Sequence, residues 1–180
     1  MRVRSLRVVV YLMLCASGMV AQSKKGDMSL SVTASPFPTT YGDNDDFGVI
    51  GLAGFEFFLS NRVSLMGSFF SSNNTIIRND SGATIRSYGF IPSIQYYFVN
   101  KEDFNIFGNL GYGFGFEDLT RGVIQNSALT VFSIGPGVSY KLHEKLFLRL
   151  TLPYFNARNI TIDENAANGI AVFLGLEFKL

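Results

Sequence analysis

The closing stretch Ile170-Ala171-Val172-Phe173-Leu174-Gly175-Leu176-Glu177-Phe178-Lys179-Leu180 decides the fold. Every even-numbered residue in it is bulky and apolar, whereas the odd-numbered ones are mixed: Ala171, Phe173, Gly175, Glu177 and Lys179. Successive side chains of an extended strand point to opposite faces, so this segment is a strand with one continuous apolar face. Wound as a helix, the same residues would scatter their apolar side chains around the whole circumference.

Upstream the pattern recurs. Leu146, Leu148, Leu150, Leu152 and Tyr154 oppose Phe147, Arg149, Thr151, Pro153 and Phe155. Ile106, Leu110, Tyr112, Phe114 and Phe116 oppose Asn105, Phe107, Asn109, Gly111, Gly113 and Gly115. No segment after residue 21 carries a capped helical stripe, and period-two alternation from Met28 onward predicts eight strands: 28–35, 48–59, 63–72, 84–98, 104–116, 129–142, 146–155 and 169–180.

Alternation alone fits a soluble sandwich as well as a membrane barrel; the chemistry of the less apolar face separates them. A face in bulk water carries many Lys, Glu and Asp. Here that face is mostly Gly, Ser, Thr and Asn, and the charges gather between strands, as at Asp43, Asp45, Asp46, Asp80, Glu117, Asp118, Asp163 and Glu164. Such a face suits a narrow, crowded interior, which leaves the bulky face for lipid.

Connection lengths point the same way. Long predicted connections (36–47, 73–82, 117–127, 156–168) alternate strictly with short ones (60–62, 99–103, 143–145). A membrane barrel shows this alternation, with short periplasmic turns and longer outer loops. The expected fold is an all-β, eight-stranded antiparallel up-and-down transmembrane β-barrel with both termini on the short-turn side.

The chain has 180 residues, 47% of them hydrophobic and only 16% charged, which argues against disorder and against a two-domain enzyme. Its start is the layout of a secretory signal peptide: Arg2, Arg4 and Arg7, an apolar run over 8–14, then the small residues Ala16, Ser17, Gly18 and Ala21. That run is too short for a membrane helix, which needs roughly 20 apolar residues. Cys15 invites a lipoprotein reading, but bulky Leu14 precedes it where a small residue is wanted, so the expected division is a leader over 1–21 and a barrel over 22–180. Without the leader, 12 basic side chains face 14 acidic ones and no cysteine remains. This excludes disulfide staples and thiol-metal sites, and a net charge of −2 gives no electrostatic case for nucleic acid.

A repeat of about 40 residues aligns Pro92, Ile94, Tyr96 and Phe98 with Pro136, Val138, Tyr140 and Leu142, each series ending at a short turn. With these segments, the Ala21-Gln22 junction and the closing strand, the chain resembles the small eight-stranded outer-membrane β-barrels of Gram-negative bacteria, including those of Bacteroidetes-type organisms: the OmpA/OmpX-like and OmpW-like, porin-like barrel domains. The resemblance covers the whole chain after the leader. It implies residence in the outer membrane among its lipid and lipopolysaccharide, as a monomer without cofactor. It also implies recognition by the barrel-assembly machinery through a terminal Gly-x-x-apolar-x-apolar signal, matched by Gly175, Phe178 and Leu180, although such strands commonly end in Phe.

Other motifs read more plainly. Gly111, Gly113 and Gly115 brush against a phosphate-binding motif, but no helix start follows them, and glycine at alternate positions makes room inside a small barrel. Asp43, Asp45 and Asp46 poorly match a calcium loop, because the twelfth position from Asp43 is Gly54 instead of Glu. The only histidine, His143, falls in a short turn away from any pocket, and no nucleophile with a base is apparent, so no enzyme is expected. Pro92, Pro136 and Pro153 remove ladder donors inside strands and are expected at bulges. Arg86 shares the parity of Tyr88 and Phe90, which predicts a place above the membrane or past a bulge.

The inward parity also carries charge. Glu56 stands three residues before Leu59, Arg149 three after Leu146 and Glu177 three before Leu180, so the three lie at similar depth, with Lys141 and Lys179 nearer the short-turn rim. Opposite charges inside a narrow lumen should pair, Arg149 bridging Glu177 on the neighbouring strand first and Glu56 second to close the interior; the alternative is separate charges standing in lumenal water. Three roles stay open at this point: a structural or surface-binding barrel whose outer loops take an extracellular ligand, a narrow pore, or a secreted soluble β-barrel carrying a lipid or other apolar ligand.

Overall fold

The computed structural model describes residues 23–41, 44–78, 81–120, 127–161 and 163–180. The expected leader lies outside them, as do Asp43 and Asp80. Within the described residues every regular element is a strand: β1 (Met28–Tyr41), β2 (Asn44–Phe58), β3 (Val63–Arg78), β4 (Ser81–Asn100), β5 (Phe104–Thr120), β6 (Ser127–His143), β7 (Leu146–Thr151), β8 (Tyr154–Asn159), β9 (Glu164–Ile170) and β10 (Phe173–Lys179). Each of β1 to β6 pairs antiparallel with the next. The lower half of β6 pairs with β7 and its upper half with β8, so these two form one stave. They pair in turn with β10 and β9, and β10 closes on β1. The result is a closed barrel of eight staves, the last two each broken once.

Three of the four long connections are mostly strand. Cross-strand pairing runs on from Pro36↔Val49 to Tyr41↔Asn44, from Asn73↔Arg86 to Arg78↔Ser81, and from Asn156↔Asn168 to Asn159↔Glu164. A lone hairpin is only marginally stable, but these grow from a closed barrel that has already set their register. The short turns stand where the sequence puts them, around Asn61, Glu102 and Glu144. Periplasmic turns are the short ones. An epitope inserted after Asn79 or Gln125 should therefore be reachable on intact cells and one after Asn61 or Lys101 should not; surface labelling at Asn61 in sealed cells would invert the topology.

None of the three prolines sits at a bulge. Between β4 and β5 the paired positions lapse at Ile91 and Pro92, yet the register is the same before, at Phe90↔Phe114, and after, at Ser93↔Gly111. Around Pro136 the register likewise continues from Ile134↔Tyr154 to Gly137↔Thr151, and around Pro153 from Tyr154↔Ile170 to Phe173↔Thr151. A proline here costs its own ladder bond without inserting a residue, because its carbonyl still accepts: Leu152 N donates to Pro136 O and Ala171 N to Pro153 O, both at 2.9 Å. Across the break in the last stave, Val172 N is taken by the Ser35 hydroxyl at 3.1 Å. The bulges fall instead at Tyr97/Val99, Lys141/His143 and Ala157/Arg158. In the first two the extra residue is Phe98 or Leu142, the last member of each repeat, just before a short turn. Arg86 needs no bulge either: it faces outward, exposed, in register with Asn73 and Asp118.

The faces separate as alternation predicts. Val32 is 67% exposed, Phe69 68% and Ile170 69%, while Ser31, Thr33, Phe70, Ala171 and Phe173 are buried. Leu110, Ile134 and Leu148 face outward, and Tyr96, Phe98 and Tyr140 form an outward aromatic band toward the short turns. Two glycines permit backbones to approach. A Cβ on Gly113 would stand 2.2 Å from Phe90 O, and one on Gly175 would stand 1.9 Å from Val32 O at the seam that closes the barrel. Gly175, a member of the expected assembly signal, is thus also required by packing. Phe178 and Leu180 of that signal are exposed on the outer wall.

Candidate functional site

The interior is filled in layers. Toward the outer end lies an apolar cluster that includes Ile50, Phe70, Ile91, Leu129, Val131, Phe155 and Phe173. Toward the short turns Phe58, Tyr97 and Phe107 stack, with ring centroids 5.2 and 5.3 Å apart. Strand parity aims Glu56 from β2, Gln95 from β4, Arg149 from β7 and Glu177 from β10 into the space between, and all four are buried.

Arg149 joins them. Its Nη1 lies 2.9 Å from Glu177 Oε2 and 3.2 Å from Glu56 Oε2, and its Nη2 donates to Gln95 Oε1 at 2.6 Å. The guanidinium lies over the Phe107 ring, 4.3 Å from its centroid. Glu56 also accepts from Tyr97 Oη at 2.6 Å, from Ser64 Oγ at 2.5 Å and from Ser29 Oγ at 3.4 Å. Lys179 Nζ sits 3.1 Å from Glu177 Oε1 and over the Phe58 ring. A planar fork of donors, an aromatic face and several hydroxyls are what buried carboxylates require in place of water.

Of the five charges singled out in the sequence, the structure brings together Glu56, Arg149, Glu177 and Lys179. Lys141 does not join them. Its ammonium turns to the rim, 2.8 Å from Glu102 and 3.5 Å from Asp103, because the bulge before His143 ends its stave beside that turn. This contact holds the Glu102 carboxyl below the usual carboxylate range. Gln95 and Tyr97 were missed, although inward parity in β4 was the available signal: a polar Gln between Ile94 and Tyr96 has nowhere else to point. The rim is closed further by the segment before β1. Buried Ser23 accepts from Lys179 Nζ at 2.7 Å, exchanges two hydrogen bonds with Asn100, and Gly26 N donates to Phe58 O at 2.8 Å.

Above Arg149 the lumen holds a cavity of about 50 Å³, bordered by Met66, Ile91, Asn109, Ser133 and Phe155. That is room for water, not for a lipid or a drug-sized ligand. Among the described residues there is no group of three or more His, Cys, Asp or Glu side chains able to hold a metal, and His143 is exposed beside the third short turn.

A closed eight-stave barrel with an apolar outer wall, an aromatic band and a packed polar lumen is the class of small integral outer-membrane barrels. The chain belongs to the outer membrane protein beta-barrel domain family, whose model matches residues 8–178. No curated protein sequence matches it. Among solved structures it is similar to Neisserial surface protein A (11% identity, TM-score 0.66, covering 85% of this chain and 96% of that one). The attachment invasion locus protein Ail of Yersinia pestis, in complex with the heparin analogue sucrose octasulfate, shares 15% identity (TM-score 0.58, 87% and 99%). The N-terminal β-barrel domain of Pseudomonas aeruginosa OprF shares 14% (TM-score 0.58, 88% and 100%). At these identities the likeness is one of fold. The protein is an outer-membrane β-barrel, set among outer-membrane lipid and lipopolysaccharide. The secreted, lipid-carrying barrel is not favoured: such a carrier keeps its apolar surface inside around a cavity, whereas here it faces out.

Proposed function

We propose that this protein is a rigid, non-conducting outer-membrane barrel that works through its wall and its outer hairpins, its lumen closed by the charged layer. The observation that carries this reading is Arg149, which links carboxylates and an amide from three other staves at once. Buried aromatic rings below it and a buried apolar cluster above it support a closed lumen. The extended hairpins then act as a platform for an extracellular ligand, in keeping with the complex recorded for Ail. No catalytic role is assigned. Removal of the leader after Ala21, insertion by the barrel-assembly machinery through Gly175, Phe178 and Leu180, and a monomeric state complete the proposal.

Planar-bilayer recording tests it. The wild-type barrel should show no steady single-channel conductance, and Arg149→Ala should show brief openings as lumenal water enters. A steady wild-type conductance would overturn closure and favour the narrow pore.

A further inference from the structure

On the outer wall the bulky lipid-facing residues are interrupted between β4 and β6. The outward face of β5 runs Ile106, Gly108, Leu110, Tyr112, Phe114, and Gly108 pairs directly with Pro136 of β6. These two small residues form the floor of a groove of about 440 Å³ lined by Tyr96 and Phe98 beside them and by the row Ile94, Leu110 and Ile134 above. That volume falls in the range of ligand sites and is several times the lumenal cavity. Phe98, the extra residue of the β4 bulge, leans over the floor: a Cβ on Gly108 would lie 3.3 Å from its ring.

Two cations stand at the periplasmic end of this groove. Arg62 precedes Val63, which lines the groove and pairs with Tyr96, and Tyr97 N donates to Arg62 O at 2.8 Å. Lys101 opens the turn that joins β4 to β5, the strand that carries Gly108. Neither has an ion-pair partner among the described residues; the acids of the same turn, Glu102 and Asp103, share Lys141, so Arg62, Lys101 and Lys141 leave the rim one positive charge in excess. An apolar channel in the membrane face that ends at a rim with a positive charge in excess fits an acyl chain with a phosphate at its head.

We infer that the groove over Gly108 and Pro136 is a binding site for an anionic phospholipid of the periplasmic leaflet, with one acyl chain between Phe98 and Ile134 and its phosphate at Arg62 and Lys101. A basic residue near an anionic surface favours it by about fivefold, so two give a preference that bulk annular contact would not.

The chain has no Trp, so Leu110→Trp places a single fluorophore at the groove, and Leu174→Trp places one on the opposite wall. Each protein is refolded into phosphatidylcholine vesicles containing increasing fractions of phosphatidylglycerol with brominated chains, and folding is verified by heat-modifiable mobility on gels. The groove Trp should be half-quenched at a mole fraction at least about fivefold lower than the far-wall Trp. Gly108→Leu, which fills the floor, should bring the two curves together, and Arg62→Ala with Lys101→Ala should remove the preference for phosphatidylglycerol over brominated phosphatidylcholine. Superimposable groove and far-wall curves in the parent proteins would overturn the site, as would occupation by a second copy of the chain detected by crosslinking at Leu110. An unchanged headgroup preference in the double variant would overturn the anionic assignment.

Discussion

Replacing Arg149 by Ala is expected to lower folding stability by about 3 to 5 kcal/mol, the cost of leaving buried carboxylates without their cation. The two acids should not suffer equally. Glu56 keeps three hydroxyl donors, Tyr97, Ser64 and Ser29, whereas Glu177 keeps only the Lys179 ammonium. Water entering the adjacent cavity of about 50 Å³ offsets part of the loss, which places the result toward the lower end of that range. The interaction is isolated by a double-mutant cycle of Arg149→Ala with Glu177→Ala, followed by urea unfolding in lipid vesicles. A coupling of about 0.5 to 3 kcal/mol is expected for side chains in such contact. Strictly additive effects would mean that the layer is a set of independent hydrated charges and would remove the physical basis for a closed lumen.

On the other face of the same stave, Leu150→Arg should cost about 2 to 4 kcal/mol. Leu150 aligns with Val138 on one side and Leu174 on the other, and Tyr140 and Leu148 lie below it. Five residues above the turn at Lys145, a strand tilted by about 40° has climbed roughly 13 Å, near the middle of an apolar band about 25 Å tall. Arginine there must either enter hydrocarbon or drag water down to it. Leu180→Arg, on the same face but at the rim, should cost about 0 to 1 kcal/mol. Equal values in a vesicle unfolding titration would show that Leu150 does not face acyl chains. The paired design separates depth from any general intolerance of the strand ends.

Parity is the property that a strand carries locally, and it was legible residue by residue. The odd and even sets of 104–116, 146–155 and 169–180 are the inner and outer faces of the barrel, because a pleated backbone turns each side chain opposite to the last whatever its partner strand. The inward direction of Glu56, Arg149 and Glu177 follows from the same local rule. Pairing is not local. Whether a proline breaks register depends on the neighbouring strand, and the ladder simply continued past Pro92, Pro136 and Pro153, while the bulges went to Phe98, Leu142 and the middle of β9. Equal counts from strand ends put three charges at one depth, but depth does not say which stave stands beside which across a lumen. Only closure brought Arg149 to a carboxylate 93 residues away, supplied Gln95 and Tyr97 as further partners, and sent Lys141 outward to Glu102. The sequence by itself determined which side of the wall each residue occupies; the closed sheet, through stagger and tilt that no single strand contains, decided which residues meet.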